Sequence, residues 1–270
     1  MTNTFTLTNP IFSATESLLS QINRICTAQG IPYFIAGATA REILLHHVHD
    51  RSIGRRTRDI DIAVFVDDWP MFDALKNAFL VEGAKKVRNN AHRMIAAGIE
   101  LDIIPFGGIA EGNQIAWPPE REIIMAVDGF AEVFSHTVTV QLGNGENLPF
   151  CSLPGLALLK LFAWRDRGHG SAKDATDLYK IIREYGAIEN ERIYEFPVEG
   201  ENMNWDPARM GAILLGSDIA VISEHSSFEE LRRIDRERLT DAIVRQSDVN
   251  NSAEIEQIMN DFWNGMISGS

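Results

Sequence analysis

The chain has 270 residues, enough to bury a full hydrophobic core and to form one large domain or two small ones. No apolar run approaches the roughly 20 residues that span a bilayer, and the first residues lack the pattern of a signal peptide, so we expect neither a membrane span nor secretion. The net charge of −13 argues against a general nucleic-acid-binding protein, because affinity for phosphate backbones requires a basic surface.

The charge is unevenly distributed along the chain. Residues 1–190 contain 18 basic and 22 acidic residues, a net charge of −4, whereas residues 191–270 contain 7 and 16, a net charge of −9. The first part also contains two basic clusters: Arg51, Arg55, Arg56 and Arg58, then Lys85, Lys86, Arg88 and Arg93. Because positive potential attracts phosphates, a nucleotide or tRNA partner of this part of the chain stays open.

The two cysteines, Cys26 and Cys151, lie in apolar segments and lack the spacing of a metal site. We therefore expect buried free thiols. Reduced thiols are typical of the cytoplasm, so the sequence predicts a cytoplasmic protein without a membrane partner.

The first 50 residues predict a helix, a strand and a second helix. Ser13-Ala14-Thr15-Glu16 has the spacing of a capping box, and the helix that it would begin is expected to end at Gly30. The apolar run Tyr33–Ala36 predicts a short buried strand. A glycine turn at Gly37-Ala38-Thr39 would join this strand to a helix that reaches about Val48.

This Gly37-Ala38-Thr39 turn is a candidate phosphate-binding site. The first N–H groups of a helix are free to bind an anion, and the positive end of the helix dipole favours one. Arg41 lies about one turn into the helix and is a further candidate phosphate ligand. A solvated helix charge is the alternative interpretation of Arg41.

Asp59-Ile60-Asp61 begins the next predicted strand, which continues to Val66. Side chains alternate faces along a strand, so Asp59 and Asp61 would point the same way and Ile60 into the core. Two carboxylates this close repel unless a cation lies between them, and their hard oxygens suit Mg2+. A solvated sheet edge or a turn cap is the alternative. Arg58, directly before Asp59, would either bind phosphate or balance the carboxylates.

A third carboxylate, Asp102, lies in a later strand-like segment. The pattern after Val66 predicts one helix, from about Trp69 to Leu80, and three short strands, at 84–88, 94–97 and 101–105. Leu101 and Ile103 would face away from Asp102. A carboxylate on an adjacent strand would complete the ligand set of a two-metal phosphoryl-transfer site.

The second half of the chain predicts mainly helices, at 154–166, from Ser171 onward, and at 207–222, 227–245 and 252–264, with a linker near 197–206. Lys160 lies in the middle of the first of these, among apolar neighbours, where it would either reach solvent or contact a bound anion. Asp174 and Asp177 are three residues apart and would share one face of the next helix.

Together, Gly37-Ala38-Thr39, the Asp59 and Asp61 pair and Asp102 resemble the core of the nucleotidyltransferase superfamily that includes DNA polymerase beta. The predicted helices of the second half point to one family within this superfamily. Leu156–Arg167, with Lys160, followed by Lys173-Asp174-Ala175-Thr176-Asp177, looks like the AbiEii/AbiGii toxin nucleotidyltransferases, in which a lysine-bearing helix precedes a Lys-Asp-x-x-Asp helix. The resemblance covers about residues 30–185. It departs from the usual Gly-Gly or Gly-Ser at the turn, where Gly37-Ala38 stands, and this leaves phosphate contact there open.

The predicted fold class is α+β. We expect a nucleotidyltransferase-type mixed β-sheet that bears the carboxylates and is flanked by helices, followed by a C-terminal helical lobe. The predicted domains are a nucleotidyltransferase core at residues 1–150 and a helical domain at residues 151–270.

The resemblance also implies an activity. The protein would transfer an NMP from an NTP to an acceptor hydroxyl on a tRNA, a protein or a small molecule, and would be a toxin with a neighbouring antitoxin. The implied catalytic and metal-binding residues, for two Mg2+ ions, are Asp59, Asp61 and Asp102. The implied contacts to the nucleotide or its phosphates are Gly37, Ala38, Thr39, Arg41, Arg58 and Lys160.

Two other interpretations stay open. The fold could serve a catalytically silent binding or regulatory module, which the intact set of three carboxylates disfavours and the Gly37-Ala38 turn slightly favours. Alternatively, Asp59-Ile60-Asp61 could be the metal motif of a sugar-nucleotide glycosyltransferase. That interpretation requires an extended nucleotide-binding sheet before the motif, and too few residues precede Asp59 to form one.

Overall fold

The computed structural model describes residues 3–52, 59–88, 90–195, 200–247 and 251–269. The chain divides into two compact units, Met1–Ser152 and Leu153–Ser270. The first unit contains a mixed sheet with helices, and the second consists of helices. The predicted α+β fold class is therefore confirmed. Within the described ranges, we find no helix with both the length and the apolar character needed to cross a membrane.

The helices of the first unit are α1 (Ser13–Ala28), α2 (Gly37–Glu42), α3 (Trp69–Val81) and α4 (Phe130–Ser135). Its strands are β1 (Thr4–Thr6), β2 (Tyr33–Ala36), β3 (Asp59–Phe65), β4 (Lys85–Lys86), β5 (Arg93–Ala96), β6 (Ile99–Phe106), β7 (Gln114–Ala116), β8 (Ile124–Ala126), β9 (Val138–Gln141) and β10 (Asn147–Phe150). Eight strands form one sheet in the order β1-β9-β10-β2-β3-β6-β5-β4, and β7 pairs with β8.

The centre of the sheet brings the acidic residues together. Strand β3 is parallel to β6, with Asp61 directly opposite Asp102. Strand β2 is antiparallel to β3 on the other side, with Ala36 opposite Asp61. Ile60 and Ile62 of β3 are fully buried and anchor this strand in the core. Because side chains alternate along β3, this anchoring fixes Asp59 and Asp61 on the other face.

The helices of the second unit are α5 (Leu153–Arg167), α6 (Lys173–Ile188), α7 (Arg192–Glu195), α8 (Pro207–Ile222), α9 (His225–Arg232), α10 (Arg236–Arg245) and α11 (Ser252–Ser268). Helix α8 has the bounds that the sequence predicts. The single helix predicted at 227–245 is instead two helices, α9 and α10. The break occurs because the side chain of Asp235 accepts a hydrogen bond from the Arg238 amide (3.0 Å) and caps a new helix.

Two details of the first unit also differ from the sequence prediction. Phe12 takes the N-cap position of α1, so Ser13 lies inside the helix instead of capping it. The helix after Gly37 changes at Ile43 from α-helical to π-helical geometry, which continues to Val48. Cys26 and Cys151 are buried free thiols, as predicted.

Glycines allow the helices of the second unit to approach closely. A Cβ atom on Gly211 of α8 would lie 2.2 Å from the main-chain nitrogen of Gly186 in α6. A Cβ atom on Gly216 would lie 2.2 Å from the carbonyl oxygen of Phe262 in α11. Helix α8 therefore contacts both neighbours by main chain, at positions where a larger residue would force the helices apart.

We expect Gly216→Ala to lower the free energy of unfolding by about 1–3 kcal/mol, because overpacking outweighs the gain in helix propensity. Urea denaturation of the wild type and the variant measures the change. Gly170→Ala is the matched control, since a Cβ there would meet its nearest neighbour at an ordinary 3.9 Å. Equal stability of the two variants would contradict the close packing at Gly216.

Candidate active site

Three carboxylates form the centre of the candidate site. Asp59, Asp61 and Asp102 each place one carboxylate oxygen within 4.8 Å of the other two. The side chains of Asp59 and Asp61 are partly exposed, while Asp102 is buried. Like charges at this distance repel, and a cation between them would remove the repulsion. Three carboxylate oxygens fit a hard divalent cation such as Mg2+.

The glycine turn lies against this centre. Gly37 has a left-handed φ of +63°, and a Cβ atom on it would lie 1.9 Å from Oδ2 of Asp61. Only glycine leaves room for the Asp61 carboxylate at that place. The hydroxyl of Thr39 donates a hydrogen bond to the main-chain carbonyl of Asp59 (2.6 Å), which ties the start of α2 to the start of β3. The turn thus holds the positions of both strand carboxylates.

Among the residues of the first unit that are predicted to bind phosphate, Ala38, Thr39 and Arg41 have buried side chains. Arg58 lies outside the described residues. Of the predicted turn residues, Gly37 lies directly against a carboxylate. Because it has no side chain, the Asp61 carboxylate can occupy the space beside it.

Arg93 is a site residue that the sequence analysis did not identify. It lies on β5 directly opposite Asp102, and its guanidinium donates from Nε to Oδ1 and from Nη2 to Oδ2, both at 2.7 Å. Its Nη1 donates to Oε2 of Glu100 (2.6 Å). The hydrogen bonds with Asp102 raise the pKa of Arg93 above its ordinary value. A register count through the predicted turn at Gly98 would have found this pair, because it places Arg93 across from Asp102.

Lys160 lies in the second unit, in a buried cluster of charges. Its Nζ donates to Oδ1 of Asp174 (2.9 Å) and to Oδ2 of Asp177 (2.8 Å). Arg167 contacts the same Asp174 through two hydrogen bonds, of 2.6 and 3.0 Å. Burial alone would raise the pKa of Asp174, but the hydrogen bonds and charges of Arg167 and Lys160 outweigh it and lower that pKa to about 2. Asp174 is therefore a carboxylate held in its charged form.

A family match covers most of the chain. The family described as "Nucleotidyl transferase AbiEii toxin, Type IV TA system" matches residues 18–262. The chain belongs to the AbiEii nucleotidyltransferase family. The resemblance to this family is thereby confirmed, and the protein is a transferase of the nucleotidyltransferase class. The three carboxylates are compatible with that activity.

Solved structures of other proteins are similar to this chain at low identity. The structure of ANT(2'')-Ia in complex with adenylyl-2''-tobramycin is 14% identical and covers 67% of this chain and 94% of its own, with a TM-score of 0.42. An antigenic nucleotidyltransferase-like protein from Paracoccidioides brasiliensis is 17% identical over 64% of this chain and 78% of its own, with a TM-score of 0.40. The Thermotoga maritima CCA-adding enzyme, complexed with tRNA, is 11% identical over 96% of this chain and 82% of its own, with a TM-score of 0.29. No curated protein gives a significant match.

We predict that Asp174, in the Lys-Asp-x-x-Asp segment, makes the free energy of unfolding depend on pH. The pKa of Asp174 is about 2 in the folded protein, against an ordinary value of 3.8. A lowered folded-state pKa contributes stability above the unfolded value, so about 2 kcal/mol should be present above about pH 4 and lost as the pH falls toward 2. Asp174→Asn should lack this part of the pH dependence. At neutral pH it should be destabilised by about 3–5 kcal/mol, because Lys160 loses a buried partner.

Urea unfolding of the wild type and Asp174→Asn at several pH values between about 5 and 2.5 measures both effects. Asp166→Asn is the control, because Asp166 accepts from Arg165 (2.8 Å) in an exposed pair and its loss should cost less than about 1 kcal/mol. If the stability of Asp174→Asn falls with pH as steeply as that of the wild type, Asp174 does not carry this pH dependence.

Proposed function

We propose that this AbiEii-family protein is a Mg2+-dependent nucleotidyltransferase that transfers an NMP from an NTP to an acceptor hydroxyl. The observation that carries the proposal is the placement of three carboxylates within 4.8 Å of one another on two parallel strands. Gly37, which leaves room for Asp61 at this centre, adds a second constraint in the same place. Family membership supports nucleotidyl transfer in general.

The three carboxylates would hold the metal, with two ions in the proposed arrangement. Bound Mg2+ would neutralise charge on the triphosphate and align an in-line displacement at the α-phosphorus. In that displacement the acceptor oxygen forms a bond to the α-phosphorus, the bond to the bridging oxygen breaks and pyrophosphate leaves. The proton of the acceptor hydroxyl goes to water, or to Asp102 if the reaction requires a base.

The proposed phosphate contacts are those that the resemblance implies. At the turn of Gly37, Ala38 and Thr39 the contacts would come from main-chain N–H groups, because the Thr39 hydroxyl donates to Asp59. We propose that Arg41 and Arg58 also contact the phosphates. Lys160 uses two of its three ammonium donors on Asp174 and Asp177, so one donor remains for an anion.

We also propose that the protein is the toxin of a toxin–antitoxin pair, as the description of its family suggests. The antitoxin would then be its protein partner. The acceptor hydroxyl would belong to a tRNA, a protein or a small molecule, and each class is a separate arm of the experiment that tests the function.

The test is a label-transfer assay. The protein is incubated with Mg2+ and each of the four NTPs labelled at the α-phosphate, together with total cellular RNA, protein or a small-molecule fraction. We expect one class of acceptor to become labelled. Chelation of Mg2+ should abolish the label, and Asp59→Asn should lower the yield at least about 100-fold because it removes a charge-stabilising group from the reacting centre.

Asp73→Asn is the matched control for this assay. Asp73 is an exposed carboxylate on α3, in the same unit, so its loss should leave the label unchanged. Equal labelling by the wild type and Asp59→Asn would disprove the proposed site. Metal-dependent NTP binding without label in any arm would instead favour the catalytically silent binding module.

A further inference from the structure

We infer that Arg93 is a resident cation on Asp102 that competes with divalent metal and thereby sets the metal affinity of the carboxylate centre. This inference deepens the proposed function and rests on it for the metal. It assigns a role to a residue outside the set of three carboxylates.

The first support is the geometry of the contact. Arg93 takes both oxygens of Asp102 in two parallel hydrogen bonds of 2.7 Å each. Bidentate pairs of this kind are among the strongest that side chains make. Only 10% of the Asp102 side chain is exposed, so little of this carboxylate is open to solvent beside the guanidinium. A metal ion that uses Asp102 must therefore share it with Arg93 or displace it.

The second support is the sheet register, which keeps Arg93 in place. Arg93 lies directly opposite Asp102, and the pairing continues through Met94 opposite Leu101, both fully buried. A slip of one residue would move Arg93 to the other face and expose this apolar pair. The sheet pairing therefore fixes the main chain of Arg93 beside the carboxylate centre, on the face that carries Asp102.

The third support is the charge of Arg93, which persists at every working pH. An arginine guanidinium stays protonated in proteins. The positive charge therefore cannot be removed by deprotonation when a metal approaches. A divalent cation at the same oxygens is repelled by this charge, and the repulsion weakens only when the guanidinium moves away.

Glu100 offers Arg93 a place to move. It lies two residues before Asp102 on β6, so the two carboxylates share a face. Its Oε2 already accepts a hydrogen bond from Nη1 of Arg93 (2.6 Å), and half of its side chain is exposed. Arg93 can therefore release Asp102 and keep an ion pair with Glu100. A metal ion can therefore replace Arg93 on Asp102 if the Arg93 side chain alone moves.

If Arg93 only oriented Asp102 as a metal ligand, its removal would change the metal affinity in the opposite direction. Groups that orient a metal ligand raise metal affinity, and their removal typically weakens binding about 10- to 100-fold. A competing cation lowers metal affinity, and its removal strengthens binding. The direction of the change therefore separates the two roles.

The experiment is a titration of the metal-free full-length protein with Mn2+ alone, followed by calorimetry and by the electron paramagnetic resonance signal of free Mn2+. We expect Arg93→Gln to bind Mn2+ about tenfold more tightly than the wild type, the scale on which groups next to metal ligands act. Arg93→Lys keeps the charge but lacks the two parallel N–H bonds. Its Mn2+ affinity should lie between those of the wild type and Arg93→Gln. Arg93→Gln combined with Asp102→Asn should lose the gain.

Arg24→Gln is the matched control. Arg24 makes a similar bidentate pair with Glu82 in the same unit (2.6 and 2.7 Å), so its loss removes the same charge outside the site. Unchanged or weaker Mn2+ binding by Arg93→Gln overturns the inference and leaves the proposed function standing. Failure of the wild type and both Arg93 variants to bind Mn2+ overturns the inference together with the metal dependence of the proposed function.

Discussion

The parallel register of β3 and β6, which holds three carboxylates together, is the constraint on which the candidate site depends. The parallel pairing of β3 and β6 sets Asp61 opposite Asp102, and the alternation of side chains along β3 adds Asp59 on the same face. The buried isoleucines on the other face of β3 prevent the strand from turning these charges away. The fold therefore places three carboxylates close together, an arrangement suited to a protein that binds a divalent cation.

The two units treat their buried carboxylates differently. In the second unit Asp174 has two cationic partners, Lys160 and Arg167, and its pKa is lowered to about 2. In the first unit Arg93 forms an ion pair with Asp102, and Asp59 and Asp61 lie close to that carboxylate. The cluster in the second unit therefore holds Asp174 in its charged form. In the first unit three carboxylates lie within 4.8 Å of one another, an arrangement that a divalent cation would bind.

The sequence predicted those parts of the structure that local rules determine. Alternation placed Asp59 and Asp61 on one face, and the apolar run before Gly37 predicted the strand and turn that now contact Asp61. Arg93 escaped prediction because its role depends on the register of β5 against β6, which a composition of charged residues does not reveal. The break at Asp235 escaped because the apolar period continues across it while the side chain caps a new helix. The register of a hairpin and the competition for main-chain amides are thus what the hydrophobic pattern alone could not supply.

The central claim is that the carboxylate centre performs nucleotidyl transfer, and the products of one turnover test it most directly. The NTP that labels an acceptor would be supplied in two forms, labelled at the α-phosphate and at the γ-phosphate, to the wild type and to Asp61→Asn. Nucleotidyl transfer at this centre would release one equivalent of labelled pyrophosphate for each NMP transferred, and Asp61→Asn would lose both products. Release of the γ-label as inorganic phosphate, or an unchanged yield from Asp61→Asn, would contradict it.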